Sequence, residues 1–93
     1  MTGRFKWDDA KDAGNYAKHG VRFEAARAVF SDPFAIEQID DREDHGEERF
    51  ILIGMAGGRL SVVVYTIRGE TIRILSARGA EPYEQREYHE QNR

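Results

Sequence analysis

Six residues of the 93-residue sequence have side chains suited to acid–base or phosphate chemistry, and each stands near the predicted end of a helix or strand. They are Lys18, His19, Glu48, Arg49, Arg68 and Arg78. The arginine fork binds two phosphate oxygens at once, while histidine or a carboxylate can take up a proton. This set therefore predicts a site that stabilises an anion and moves protons.

Arg68 and Arg78 each close a predicted strand, and two interpretations of the pair remain open. Strand alternation places Arg78 on the face of Ile72 and Ile74, with apolar residues preceding each arginine. In one interpretation both guanidinium groups clamp a single anion. In the other they form surface ion pairs, each contributing about 0–1 kcal/mol. The candidate partners for such pairs are Glu47, Glu48 and Glu70.

The sequence predicts no metal and no cofactor. His19, His45 and His89 are far apart, and none has a second histidine three or four residues away on a helix. His45 stands in an acidic segment, residues 40–47, that could bind a cation weakly, although a solvated loop is the favoured interpretation. Gly57-Gly58 is not followed by a helix, so it does not form a phosphate-binding loop.

Size and composition indicate one domain over residues 1–93, without disulfides. The chain has no cysteine, and its longest apolar run, residues 50–56, is too short to span a bilayer. The first residues soon become charged, so we expect no signal peptide and a cytoplasmic protein without a membrane partner.

Charge is unevenly distributed along the chain, whose net charge is −3. Residues 32–48 hold eight acidic residues and one arginine, whereas residues 59–79 hold four arginines and one glutamate. A basic C-terminal sheet beside an acidic loop is one interpretation, and charges scattered over a solvated surface are the other. The predicted second helix offers only Arg22 and Arg27, so direct DNA binding is not expected.

The elements that would position these residues follow from turn and periodicity signals. Residues 5–7 suit a short strand, and a helix follows from a cap at Asp8 or Asp9 to Gly20. Three alanines at helical spacing predict a slim packing face on that helix: Ala10, Ala13 and Ala17. A second helix is predicted from Phe23 to Phe30, and Pro33 ends it.

Beyond Pro33 the pattern is typical of strands, over residues 34–39, 49–55, 60–67 and 71–77, with a last helix over residues 83–91. The second of these strands has enough consecutive apolar residues to be buried on both faces. Tight turns at Gly57-Gly58 and Gly69-Glu70 predict an antiparallel meander. The fold class is therefore α+β: two layers, with a four-stranded or slightly larger antiparallel sheet, and helices on one face.

Two sets of motifs resemble those of BrnT-family toxins, in order and over nearly the whole chain. The N-terminal set is Trp7-Asp8, residues 15–21 (Asn-Tyr-Ala-Lys-His-Gly-Val), residues 23–26, Val29-Phe30 and Asp32-Pro33. The C-terminal set is residues 46–49 (Gly-Glu-Glu-Arg), Ile53-Gly54, residues 63–66 with Arg68, and residues 73–78 (Arg-Ile-Leu-Ser-Ala-Arg). The Lys-His-Gly-Val and Ser-Ala-Arg motifs together carry the specificity of this resemblance.

The resemblance implies a RelE-like ribonuclease that inhibits translation by cleaving RNA, a BrnA-type antitoxin as partner, and contact with DNA only through that antitoxin. It carries over all six residues named above as candidate active-site residues. RNA cleavage without a metal uses the RNA's own 2′-hydroxyl as nucleophile, and Glu48 or His19 could take its proton.

One departure from the family pattern is Gly79, where further basic residues often follow the Ser-Ala-Arg motif. The predicted last helix is also acidic. Both features keep open an alternative, a decayed toxin that acts only as an antitoxin-binding module.

Overall fold

The computed structural model describes residues 4–41 and 46–93 of the chain, so His45 lies outside the described residues. Its elements follow the predicted order of strands and helices. They are β1 (Arg4–Lys6), α1 (Asp9–His19), α2 (Phe23–Ala26), a short 3₁₀ helix (Arg27–Ser31), β2 (Ile36–Asp40), β3 (Arg49–Ala56), β4 (Arg59–Arg68), β5 (Thr71–Gly79) and α3 (Pro82–Gln91). None of the helices in the described ranges combines the length and apolar content needed to cross a bilayer.

The strands form one five-stranded sheet in the order β1-β5-β4-β3-β2. β2 to β5 form the predicted antiparallel meander, and the β3–β4 turn uses the positive φ angles of Gly57 and Gly58. β1, however, pairs in parallel with β5. The sheet is therefore mixed rather than wholly antiparallel, because the long connection between β1 and β5 returns the chain in the same direction.

The second predicted helix is shorter than expected, since α2 ends at Ala26 and the chain continues as a 3₁₀ helix to Ser31. Its predicted apolar face is nevertheless confirmed, because Phe23, Ala26 and Val29 are fully buried.

Helices cover both faces of the sheet, which corrects the expectation of two layers with helices on one face. Leu52 and Val63 belong to the core that contains the α2 side chains. Their strand neighbours Ile53 and Val62 belong to a second cluster with Tyr88 of α3. Successive strand residues point to opposite faces, so α3 packs against the other side. Because the long apolar run of β3 exposes apolar side chains on both faces of the sheet, α3 is needed to bury the second face.

The first helix packs through a buried asparagine and not through its alanines. Ala10, Ala13 and Ala17 are exposed, whereas Asn15 is buried. The Asn15 Nδ2 donates to the carbonyls of Val21 (2.9 Å) and Ala77 (2.8 Å), and its Oδ1 accepts from the Ala77 N–H (3.1 Å). The predicted alanine face is therefore wrong: a polar side chain fixes α1 to β5.

A second polar residue ties α3 to the sheet. The Asp32 Oδ2 accepts hydrogen bonds from the Met55 backbone N–H (2.8 Å) and the Tyr88 hydroxyl (2.7 Å), while its Oδ1 accepts from the Phe34 N–H. Desolvation raises the pKa of Asp32, but these three hydrogen bonds outweigh it and the net pKa is lowered. Asp32 thus remains charged and joins three segments.

Replacing Asn15 by alanine should destabilise the protein by about 1–3 kcal/mol, because the Ala77 N–H and carbonyl would lose their partner in a buried position. Gly14→Ala, on the same helix, should instead stabilise it by about 0.5–1 kcal/mol, since an added Cβ would meet nothing within 4 Å. Urea unfolding of both variants checks this pair. An Asn15→Ala variant as stable as the parent would show that the asparagine does not anchor α1.

Candidate active site

The structure divides the six predicted site residues into two groups at opposite ends of the sheet. Lys18, His19 and Arg78 line one cleft of about 740 Å³. Arg68 lies at the other end, since it pairs with Thr71 whereas Arg78 pairs with Val62. Six residues of β4 separate those positions, which is roughly 20 Å at the usual rise per residue. Arg68 and Arg78 therefore cannot clamp one anion together.

The end of α1 brings Lys18 and His19 to this cleft. Gly20 follows them with φ of 72°, and its N–H donates to the Tyr16 carbonyl, so the helix ends there as predicted. Basic side chains in a last helical turn also interact favourably with the helix dipole. The Asn15 bonds to Ala77 then hold this helix end beside β5, where the next residue is Arg78.

A β-bulge decides which way Arg78 points. Val64 pairs with Ser76 but Tyr65 pairs with Ile74, so Leu75 is the extra residue in β5. The bulge shifts the alternation by one, and Arg78 lies with Val62 on the α3 face, opposite to Ile74 in the main core. The predicted placement of Arg78 with Ile72 and Ile74 is therefore wrong.

Arg78 forms a two-point ion pair with a glutamate of α3. Its Nη1 and Nη2 donate to the Glu84 Oε1 and Oε2, both at 2.8 Å, and Nη1 also donates to the Gly79 carbonyl. The Arg78 hydrogen bonds hold the pKa of the nearly buried Glu84 carboxyl below its ordinary value, although desolvation opposes the effect. Arg78 therefore does have a carboxylate partner, but not one of the three predicted from spacing.

Glu84 has a second role in starting α3. Its Oε1 accepts from the Glu81 N–H at 2.8 Å, and Glu81 caps the helix in return, so a capping box precedes the helix. Pro82 occupies the first turn of α3, where its missing N–H costs no helical hydrogen bond. One carboxylate thus sets both the position of α3 and the orientation of Arg78.

Two residues that the site prediction omitted also line the cleft, Arg59 from the start of β4 and His89 from α3. They are 30 residues apart in sequence, and no local motif joins them. Both are exposed, as is Lys18, while His19 is half-buried. The cleft residues Lys18, His19, Arg59, Arg78 and His89 are called the cationic cleft below. Glu81 lines the same cleft and is its acidic member.

The other three predicted residues lie at the opposite sheet end, where ion pairing dominates. The Arg68 Nη2 donates to the Glu47 Oε1 at 2.9 Å, which confirms the surface ion-pair interpretation for Arg68. This bond lowers the pKa of the Glu47 carboxyl. Glu48 precedes β3 with its carbonyl bonded to Thr66, and Arg49 pairs in register with Asp40. Across the sheet Arg78 pairs with Val62 of β4, and Val62 pairs with Ile53 of β3. Glu48 is five residues from Ile53 along the chain, so it lies far from Arg78.

Within residues 4–41 and 46–93, no group of three histidine or acidic side chains could hold a metal ion. Of the weak cation site considered around His45, Asp44 and His45 itself lie outside these ranges, whereas Asp40 and Asp41 lie within them. The cationic cleft has the donors to bind an anion and two imidazoles that can exchange protons.

The fold and cleft together define a small α+β protein with a cleft between α1, β5 and α3 that is lined by cationic and imidazole side chains. A family model for the ribonuclease toxin BrnT of type II toxin–antitoxin systems matches residues 7–84. The chain therefore belongs to the BrnT family of ribonuclease toxins, as its motifs indicated. No curated protein matches the chain.

Glu84→Gln should lower stability at neutral pH by about 1–3 kcal/mol, because Arg78 would lose its charged partner. Since folding lowers the pKa of Glu84, its contribution is complete above the ordinary value of 4.5 and is lost as the pH falls through the lowered value. Urea unfolding at several pH values should therefore show a difference between parent and variant that shrinks in acid. The exposed Glu90→Gln serves as control, and a difference that did not change with pH would contradict this assignment.

Proposed function

We propose that this protein cleaves RNA in the cationic cleft without a metal ion, and thereby inhibits translation. Membership of a ribonuclease toxin family supports the substrate class. The observation that carries the site assignment is that His19 and His89, from α1 and α3, line one cleft together with Arg78 and Lys18. Metal-independent cleavage of RNA requires a base, an acid and cationic groups, and two imidazoles beside Lys18 and Arg78 are able to fill these roles.

In the proposed reaction, His19 takes the proton of the 2′-hydroxyl, whose oxygen attacks the adjacent phosphorus. The bond from phosphorus to the 5′-oxygen breaks, and His89 donates a proton to that leaving oxygen. The products are a 2′,3′-cyclic phosphate and a 5′-hydroxyl end, and no water is consumed. Lys18 and Arg78 stabilise the negative charge that develops on the phosphate oxygens.

His19 is preferred to Glu48 as the base because of their positions. Glu48 precedes β3, and at least 13 Å of strand separate it from the position level with Arg78. Glu48, Arg49 and Arg68 are therefore assigned outside the catalytic cleft in this proposal.

The protein partner is proposed to be a BrnA-type antitoxin that covers the cleft and carries the DNA-binding function. Membership of a type II toxin family implies an antitoxin. Apolar side chains exposed beside the cleft, Met55 at 40 % and Tyr83 at 59 %, offer area that such a partner could bury. The RelE-like relationship remains a prediction of the family resemblance, and the cytoplasmic location remains a prediction from the composition and the first residues of the sequence.

His19→Ala and His89→Ala should each reduce RNA cleavage by about 10²–10⁴-fold, because each removes one proton-transfer group. Lys11→Ala, an exposed change elsewhere on α1, should leave cleavage unchanged. Purified proteins would be incubated with RNA in EDTA, and the ends of the fragments analysed. Expression of the parent should arrest growth and fragment RNA, and co-expressed antitoxin should restore growth.

Intact RNA and normal growth with soluble parent protein would contradict the catalytic proposal and favour the decayed, antitoxin-binding alternative. Cleavage that both histidine variants retained would instead move the active site out of the cationic cleft. Fragments with 5′-phosphate ends would contradict the 2′-hydroxyl mechanism.

A further inference from the structure

Gly79 leaves space for a side chain that comes from a different strand. A Cβ placed at residue 79 would lie 2.4 Å from the Arg59 Nη2 and 3.1 Å from both its Cζ and its Nε. Three atoms of the Arg59 group therefore pack against the bare backbone of Gly79. Gly79 does not have the positive φ that explains the turn glycines, and the nearest atoms to an added Cβ all belong to the Arg59 guanidinium group.

Arg59 is also the arginine of the cleft whose charge is not offset by a carboxylate. Arg78 is held by Glu84, whereas no ion pair joins Arg59 to any acidic group within the part of the chain that the structure describes. Glu81 lines the same cleft but forms no ion pair with Arg59. The Arg59 guanidinium group, which lies against Gly79 and has no acidic partner among the described residues, is available to an anion.

From this geometry we propose that Arg59 binds a second RNA phosphate, next to the one at the cleaved bond. The inference rests on the proposed ribonuclease function. The cleft has about 740 Å³, within the roughly 300–1,000 Å³ of pockets that enclose ligands of drug size, so it can admit more than one phosphate.

The test uses single-stranded hexanucleotides of mixed sequence with 2′-O-methyl groups, which remove the nucleophile and allow binding alone to be measured. The affinity of parent, Arg59→Ala and Gly79→Ala is determined over a series of salt concentrations. Losing one phosphate contact should reduce the slope of log affinity against log salt by about 0.7, and weaken binding roughly fivefold at 0.1 M salt. Gly79→Ala keeps the charge but displaces the guanidinium group, so it should weaken binding in the same direction.

Arg86→Ala is the matched control, because Arg86 is an exposed arginine that does not line the cleft. Thermal unfolding confirms that each variant folds. An unchanged slope for Arg59→Ala, with the parent bound to RNA, would overturn the Arg59 assignment alone. A parent that bound no RNA would overturn both proposals. Polyglutamate is measured as a second probe that stands for an acidic protein segment. If Arg59→Ala lost polyglutamate binding while its RNA slope stayed unchanged, the ligand of Arg59 would be an acidic protein segment instead of RNA.

Discussion

The side-chain amide of Asn15 forms the two backbone hydrogen bonds to Ala77 that a neighbouring strand would otherwise form. β1 covers the outer edge of β5 only from Thr71 to Arg73, so Ala77 pairs with β4 on its inner side but has no strand on its outer side. Asn15 supplies both a donor and an acceptor to that one residue, and it also binds the Val21 carbonyl behind the helix. An unsatisfied backbone pair at this depth would cost free energy, so the helix is fixed in one place. The cleft depends on this bond set because Lys18 and His19 follow Asn15, and Arg78 follows Ala77.

The second constraint is the division of positive charge between structure and ligand. Arg68 and Arg78 have carboxylate partners, Glu47 and Glu84, and Glu84 also begins α3. A charge committed to an ion pair contributes less to the attraction of an anion. Arg59 and Lys18, the exposed cations of the cleft without such partners among the described residues, therefore attract phosphate more strongly than Arg78 does. The net charge of −3 is thus compatible with an anion site, because the arrangement of charges and not their sum determines the local field.

Much of the fold could be predicted from local signals. The meander followed from strand patterns and from Gly57-Gly58, and the end of α1 followed from Gly20, because turns and caps depend on neighbouring residues. The register of the β1 edge, the bulge at Leu75 and the second face covered by α3 depend on contacts between distant segments, and these were missed. The predicted alanine packing face was wrong because the spacing of alanines alone says little about which side of a helix is buried. Asn15 could not be recognised as buried until its partner, the Ala77 backbone of β5, was placed beside it.

The site was predicted in part for the same reason. Lys18, His19 and Arg78 belong to the family motifs, and the structure brings these three residues into one cleft. Glu48, Arg49 and Arg68 belong to family motifs too. Neighbouring antiparallel strands run in opposite directions, however, so Arg68 at the end of β4 lies at the opposite end of the sheet from Arg78 at the end of β5, and Glu48 and Arg49 lie beside Arg68. Arg59 and His89 reach the cleft from elements with no shared pattern. Gly79 lies against Arg59, but neither this contact nor its lack of a turn conformation can be read from the sequence.

The most direct test of the central claim is to locate bound RNA on the folded protein by NMR. A non-cleavable 2′-O-methyl oligonucleotide would be titrated into the isotope-labelled chain while the backbone amide signals are followed. RNA bound where α1, β5 and α3 meet should shift the signals of residues 18–20, 78–80 and 89, and leave residues 47–49 and 68 largely unaffected. Shifts confined to residues 47–49 and 68 would place the RNA at the opposite end of the sheet and contradict the account.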